Sequence, residues 1–207
     1  MLMKQKSINQ LFYCFSAVAI ISLSSCGGSS DVKTEATTES AAPAAEKITI
    51  DGTGWAPVDL STIAPMIHVT MNVPTDAKME KNGNGGVDIM LNKAYTITVS
   101  MNASSSVADA ITSDKSLSVT NTTSYMNGKA IVDEPNGFVY SMQMKDEANG
   151  NKYEPEAHFA FYLEKDGAIY SIMDARPMDN MFLAGSTYSE ENAKKLYDLV
   201  KGSATIK

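Results

Sequence analysis

The sequence predicts a single α+β domain: a central antiparallel β-sheet with flanking helices, including an amphipathic C-terminal helix. Three observations carry this. Apolar and polar residues alternate over Ile67–Val73, Val87–Leu91, Tyr95–Met101 and Ala157–Leu163, which is the period of half-buried strands. The clusters Lys81–Gly86 and Glu164–Gly167 are rich in residues that tolerate tight turns, so neighbouring strands are joined as hairpins. The last stretch changes period: Ala193, Leu196, Tyr197 and Val200 recur at helical spacing and define one buried face.

Taken in order, the chain begins with an address. Lys4 and Lys6 precede an uncharged apolar stretch, Leu11–Leu23, too short to span a bilayer comfortably, as in a secretory leader. It closes on Leu23-Ser24-Ser25-Cys26, which resembles the lipobox of bacterial lipoproteins. That resemblance implies a signal peptide over residues 1–25 and a lipidated Cys26 as the first mature residue. Gly27–Ser30 and the Ser/Thr/Ala/Glu-rich run to Glu46 lack the large apolar residues that would offset their ordering entropy, so residues 26–46 are expected to form a flexible tether. Gly27 in place of an aspartate implies an outer-membrane address by the rule of well-studied enterobacterial lipoproteins, with the domain facing the periplasm. The other cysteine, Cys14, lies in the leader, so the mature domain has no disulfide framework.

Residues 47–207 form the folded domain. Lys47–Ile50 is expected to be a short strand stopped by Asp51–Gly54, with the only tryptophan, Trp55, in the following loop. The Ile67–Val73 strand ends at Pro74, and a hairpin across Asn92-Lys93 joins the next two strands. Ser106-x-x-Asp109 resembles a capping box and starts a helix over Ser104–Lys115. Leu117–Asn127 is ambiguous, and Ile131-Val132 marks a short strand. Phe138, Tyr140, Met142 and Met144 share one strand face. Further on, Ala157, Phe159, Phe161 and Leu163 face one way and His158, Ala160 and Tyr162 the other, with Ile169, Ser171 and Met173 beyond the turn. The C-terminal helix starts at a capping box, Thr187-x-x-Glu190, has Lys194, Lys195 and Lys201 towards its far end, and stops at Gly202.

This element order resembles the PsbP-like fold, on Ile67–Pro74, the strand pair Phe159–Leu163 with Ala168–Met173, and Ser189–Lys201. The resemblance spans Ile63–Lys201. It implies a binding or assembly module with no general set of catalytic residues.

Composition excludes several functions. The net charge is −7, with a single arginine (Arg176) and no basic run, the opposite of a nucleic-acid binder. The same charge leaves an acyl chain at Cys26 as the membrane link. His68 and His158 are the only histidines, and with Glu156 or Asp88 they lack the close ligand spacing of zinc motifs, so neither a metal nor a cofactor is expected. Of the methionines, Met71, Met101, Met142, Met144 and Met173 sit at strand positions that suit flexible core filler. No nucleophile elbow, catalytic cysteine motif or phosphate loop occurs, and the chain is expected not to be an enzyme.

The candidate binding residues are Trp55, His158, Tyr162 and Tyr170, with Met178, Met181 and Phe182 in a loop. Tyr162 and Tyr170 are expected on one sheet face beside His158, lining a cleft unless a second helix covers that face. Two functions follow: a lipid-anchored module that binds an envelope protein partner, or a carrier for a small apolar ligand held beside the sheet. The first should expose an apolar patch around Met178–Leu183, the second should enclose an aromatic-lined cavity.

Overall fold

The structure, a computed structural model, describes residues 50–92, 95–145, 155–175 and 188–207, all within one compact unit, Ala41–Lys207. The leader, the tether and Cys26 lie outside the described residues, as do Lys47–Thr49, Met178, Met181, Phe182 and Thr187.

In chain order the elements are β1 (Trp55–Asp59), a 3-10 turn (Leu60–Thr62), β2 (Val69–Pro74), β3 (Lys78–Lys81), β4 (Val87–Asn92), β5 (Tyr95–Asn102) and α1 (Val107–Leu117). They continue with β6 (Tyr125–Glu134), β7 (Gly137–Met144), β8 (Glu156–Lys165), β9 (Ala168–Ala175), α2 (Glu190–Ser203) and β10 (Thr205–Ile206). Among the described residues seven strands form one sheet in the order β3-β4-β5-β9-β8-β7-β6, and three form a second in the order β1-β2-β10. Every pairing is antiparallel. The α+β expectation is met, with two sheets in place of one.

The topology turns on one crossover. β5 pairs with β9, not with its successor β6, so the connection through α1 carries the chain to the far edge, and β6 to β9 return as a meander. The principal core lies between one face of the large sheet (Ile89, Ile97, Val99, Phe159, Phe161, Tyr170, Ile172) and the layer made by α2 and the small sheet (Leu196, Tyr197, Val200, Val69, Met71). On the other face α1 lays Ala110 and Ile111 over Phe138, Tyr140, Ala160 and Tyr162. A second helix therefore does cover the face on which an aromatic cleft was one expectation.

Local chemistry explains most elements. Ser106 caps α1 by accepting from the Asp109 amide at 3.1 Å. Asp166 (φ 53°) and Gly167 (φ 78°) give the β8–β9 hairpin two consecutive left-handed residues, as a tight primed turn requires. Asn82 holds the turn before β4 by accepting from the amides of Asn84 and Gly86.

Several elements differ from expectation. Trp55 is not in a loop: it opens β1, opposite Pro74, and its ring packs partly buried on the core. The polar β3 shows no alternation because it is a largely exposed edge strand, and β10 is too short to show any. β6 runs for ten residues where only Ile131-Val132 were expected, because two register shifts interrupt its periodicity. The described cap of α2 is Ser189, which accepts from the Asn192 amide at 3.2 Å. Gly202 does not stop α2. The helix runs to Ser203, whose hydroxyl donates to the Leu199 carbonyl (2.7 Å) and accepts from the Asn72 amide (3.2 Å), tying the helix end to β2. Met101 is 49 % exposed and is not core filler.

Candidate functional site

The site arises where the β8–β9 ladder stops. The two strands pair from Lys165–Ala168 up to Ala160–Met173 and no further. β9 nevertheless continues along β5 to Ala175, and the start of β8 continues along β7 to Glu156. Among the described residues the start of β8 thus has no strand on one side, and its buried backbone N–H groups need other acceptors. The Ala157 amide donates to the Tyr188 carbonyl at 2.7 Å. The Phe159 amide donates to Oδ1 of Asp174 at 3.0 Å.

Asp174 is the hub of the cluster in this gap, with its side chain wholly buried. Its Oδ2 accepts from the Tyr95 hydroxyl and lies 3.3 Å from Nδ1 of His158. Nε2 of His158 lies 3.2 Å from Oε2 of Glu156. Tyr188 stacks on Tyr95, with centroids 4.7 Å apart, and tilts against His158 at 5.1 Å. Tyr140 closes the other side of the imidazole at 5.7 Å. Burial, followed by the Asp174 charge, pushes the Tyr95 and Tyr140 phenols well above their ordinary range. Both stay protonated, so Tyr95 is a fixed donor to Asp174.

Above the cluster a cleft of about 380 Å³ opens between β6, β7, the start of β8 and the start of α2. Its lining mixes polar and apolar groups: Asn127, Lys129, Ser141, Met142, Glu156 and Tyr188 among them. Lys129 and Glu190 form an exposed ion pair at 2.9 Å on its rim, which contributes little to stability in that position.

The chemistry available is limited by saturation. Both nitrogens of His158 face carboxylates, which leaves neither to deprotonate a serine. They face different carboxylates, so His158, Glu156 and Asp174 do not converge on one point. Among the described residues no group of three or more His, Cys, Asp or Glu side chains is arranged to hold a metal ion. The exposed His68 and the β4 residue Asp88 lie elsewhere in the fold; Asp88 accepts from Asn82 and Thr98.

Of the described residues singled out for binding by sequence, only His158 is in the cluster, with Glu156 beside it on the same strand face. Trp55 belongs to β1 of the smaller sheet. Tyr162 and Tyr170 do not share a face. Tyr162 lies under α1 and donates to Asp114, whereas Tyr170 is in the principal core with its hydroxyl 3.4 Å from the Met66 carbonyl. The phase of β9 is the reason: Tyr170, Ile172 and Asp174 point inward, not Ile169, Ser171 and Met173. Sequence reasoning missed Tyr95, Asp174 and Tyr188 as members of the site. The available signal was an acid, Asp174, in phase with Tyr170 and Ile172 on a core-facing stripe.

No protein-family model matches the sequence, and no curated protein matches it. Among solved structures, the chain is similar to the solution structure of cyanobacterial PsbP (CyanoP) from Synechocystis sp. PCC 6803. The TM-score is 0.41 with 10% sequence identity, over 74% of this chain and 93% of that chain.

Proposed function

We propose that this chain is a lipid-anchored, non-catalytic protein of the bacterial cell envelope whose folded domain binds a protein partner at the cleft beside β6 and the start of α2. One observation carries the reading: an accessible cleft of mixed polarity lies over a floor whose ionisable groups are engaged with one another. Such a surface suits a peptide segment that brings its own hydrogen bonds and side chains, and supplies no acid–base pair for chemistry. The alternative, a carrier for a small apolar ligand, calls for an enclosed cavity lined by aromatics. Tyr162 and Tyr170, its expected lining, occupy opposite faces of the sheet, so it has less support.

The anchor and the address rest on the sequence: Leu23–Cys26 for lipidation, Gly27 for the outer membrane, and an orientation towards the periplasm. Among the described residues no helix is long and apolar enough to cross a membrane. Met178, Met181 and Phe182 lie outside the described residues, and their part in the contact surface rests on the sequence.

Photo-crosslinking in the intact envelope tests the reading. A photoreactive residue at Asn127 or Lys129, both exposed on the cleft wall, should give one discrete protein adduct, and one at Lys165, in the exposed β8–β9 turn, should give none. No adduct from any position, or the same adduct from all three, would remove the support for the cleft. Cys26→Ser should abolish acyl labelling and membrane fractionation, and an acylated variant would refute the anchor.

A further inference from the structure

We infer that the partner is taken up as an added β-strand: an extended segment of it pairs main chain to main chain with the outer edge of β6 and turns side chains towards the cleft. This deepens the binding role proposed above and rests on it.

The sheet edges are not alike. Among the described residues the edge strands are β3 and β6 of the large sheet and β1 and β10 of the small one. An edge presents a row of backbone N–H and C=O groups that another chain can complete, and charges, proline or shortness guard against it. β3 is four residues long and carries three charges, Lys78, Glu80 and Lys81. β1 has Pro57 at its centre. β10 has only two residues. β6 is ten residues long and contains no proline. Its charged side chains are engaged by the two helices: Lys129 with Glu190 and Glu134 with Lys201 of α2, and Asp133 with Lys115 of α1. The edge is therefore balanced in charge, in a chain whose net charge is −7.

Exposure along β6 points the same way. Asn127, Gly128, Lys129 and Ala130 are all exposed, although successive residues of a strand face opposite ways. Exposure on both faces at once marks a margin where the backbone itself is accessible. Lys129 sits opposite Ser141, and both line the cleft together with Asn127. A strand laid along this margin thus has the cleft beside one of its faces. Main-chain hydrogen bonds supply its affinity, and the cleft selects among its side chains.

The irregularity of β6 selects the occupant. Its register shifts lie between Met126 and Lys129 and between Ala130 and Val132, and each bends the strand and increases its twist. A second copy of this chain would bring an equally bent β6, already fixed by its own sheet, and the two could not stay in step. An extended peptide has no such constraint and takes its shape from the template. The balanced charge of the edge calls for a segment without a run of like charges. The cleft, where Met142, Pro155 and Ala157 adjoin Ser141 and Asn127, calls for an apolar side chain flanked by polar backbone.

The test is photo-crosslinking of the full-length chain in the intact envelope. A photoreactive residue is placed in turn at Asn127, Lys129, Ala130 and Asp133, all exposed, and mass mapping identifies the partner residue reached from each. The four positions should reach one continuous segment of the partner. The residue reached should move along it in one direction, by about five residues between Asn127 and Asp133, since paired strands rise by similar distances per residue. Adducts scattered over separate segments, or confined to Asn127 and Lys129 with none from Ala130 and Asp133, overturn strand addition and leave the cleft as the binding site. An adduct with a second copy of this chain overturns the occupant. No adduct from any of the four overturns the inference together with the cleft reading.

Discussion

Asp174→Ala is the substitution that most directly tests whether the cluster is the structural hub described here. The carboxylate is wholly buried and serves three neighbours: the Phe159 amide, the Tyr95 hydroxyl and the His158 ring. Its removal leaves a backbone N–H and a phenol without an acceptor, and an imidazole without one of the two carboxylates that it faces. An orphaned buried donor costs about 1–3 kcal/mol, and breaking a buried pair from one side about 3–5 kcal/mol; these overlap here, so about 3–5 kcal/mol is the expected loss. For a domain of this size each kcal/mol lowers Tm by about 2–4 °C, which gives a fall of about 6–20 °C. Tyr95→Phe removes only the hydroxyl and leaves Asp174 its other partners, so it should cost about 1–2 kcal/mol.

The assay is thermal unfolding of the wild type, the two single variants and the double variant. Tyr95 and Asp174 meet through one hydrogen bond, so their effects should not add: the double variant should be about 0.5–3 kcal/mol more stable than the sum of the singles implies. An Asp174→Ala protein that melts within about 2 °C of wild type, which corresponds to under 1 kcal/mol, would refute the hub. Strict additivity with Tyr95→Phe would refute the contact itself.

Three further outcomes are expected. Leu196→Asp places a charge at a fully buried position on α2 and should abolish the cooperative melt, with a loss above about 4 kcal/mol; an unchanged melt would mean that α2 is not packed on the sheet. Gly137→Ala should cost about 1–3 kcal/mol by overpacking, because the new Cβ would lie 2.7 Å from the Ala160 carbonyl oxygen and 2.7 Å from Cε2 of Tyr197. The backbone oxygen cannot swing away, so the Tyr197 ring should be displaced, and a melt equal to wild type would contradict that packing. The Glu134 carboxyl is held below its usual range by hydrogen bonds from Lys201 and then Tyr197. A depressed carboxylate contributes stability above its unfolded value and loses it as pH falls through the folded one. The Tm difference between wild type and Glu134→Gln should therefore be constant near neutrality and close below about pH 4; a difference that persists in acid would contradict the linkage.

What was legible in the sequence, and what was not, divides along a physical line. β4 and β5 alternate cleanly because one of their faces meets a continuous core, and α2 announces itself because Ala193, Leu196, Tyr197 and Val200 all reach it. β3 is silent because an exposed edge strand needs no apolar face. β9 misleads because both its faces are covered: Tyr170 and Ile172 meet the principal core while Met173 packs beneath α1, so hydrophobicity alone does not set its phase. Asp174 would have set it, since a buried acid needs partners, but those partners come from far along the chain. Tyr95 lies 79 residues away, and meets Asp174 only because β5 pairs with β9. The Glu156–His158 pair, two residues apart on one strand, was legible for the opposite reason. Alternation along a strand reports what one face touches; it does not report where a ladder ends. The cluster exists because the β8–β9 ladder ends at Ala160–Met173, and the Asp174 carboxylate and the Tyr188 carbonyl take the Phe159 and Ala157 amides that a strand would have paired. A departure from regular pairing, filled by buried ionisable groups under an accessible cleft, is where local rules of folding yield to another demand on the chain. That coincidence is the physical reason to look for function there and not along the regular strands.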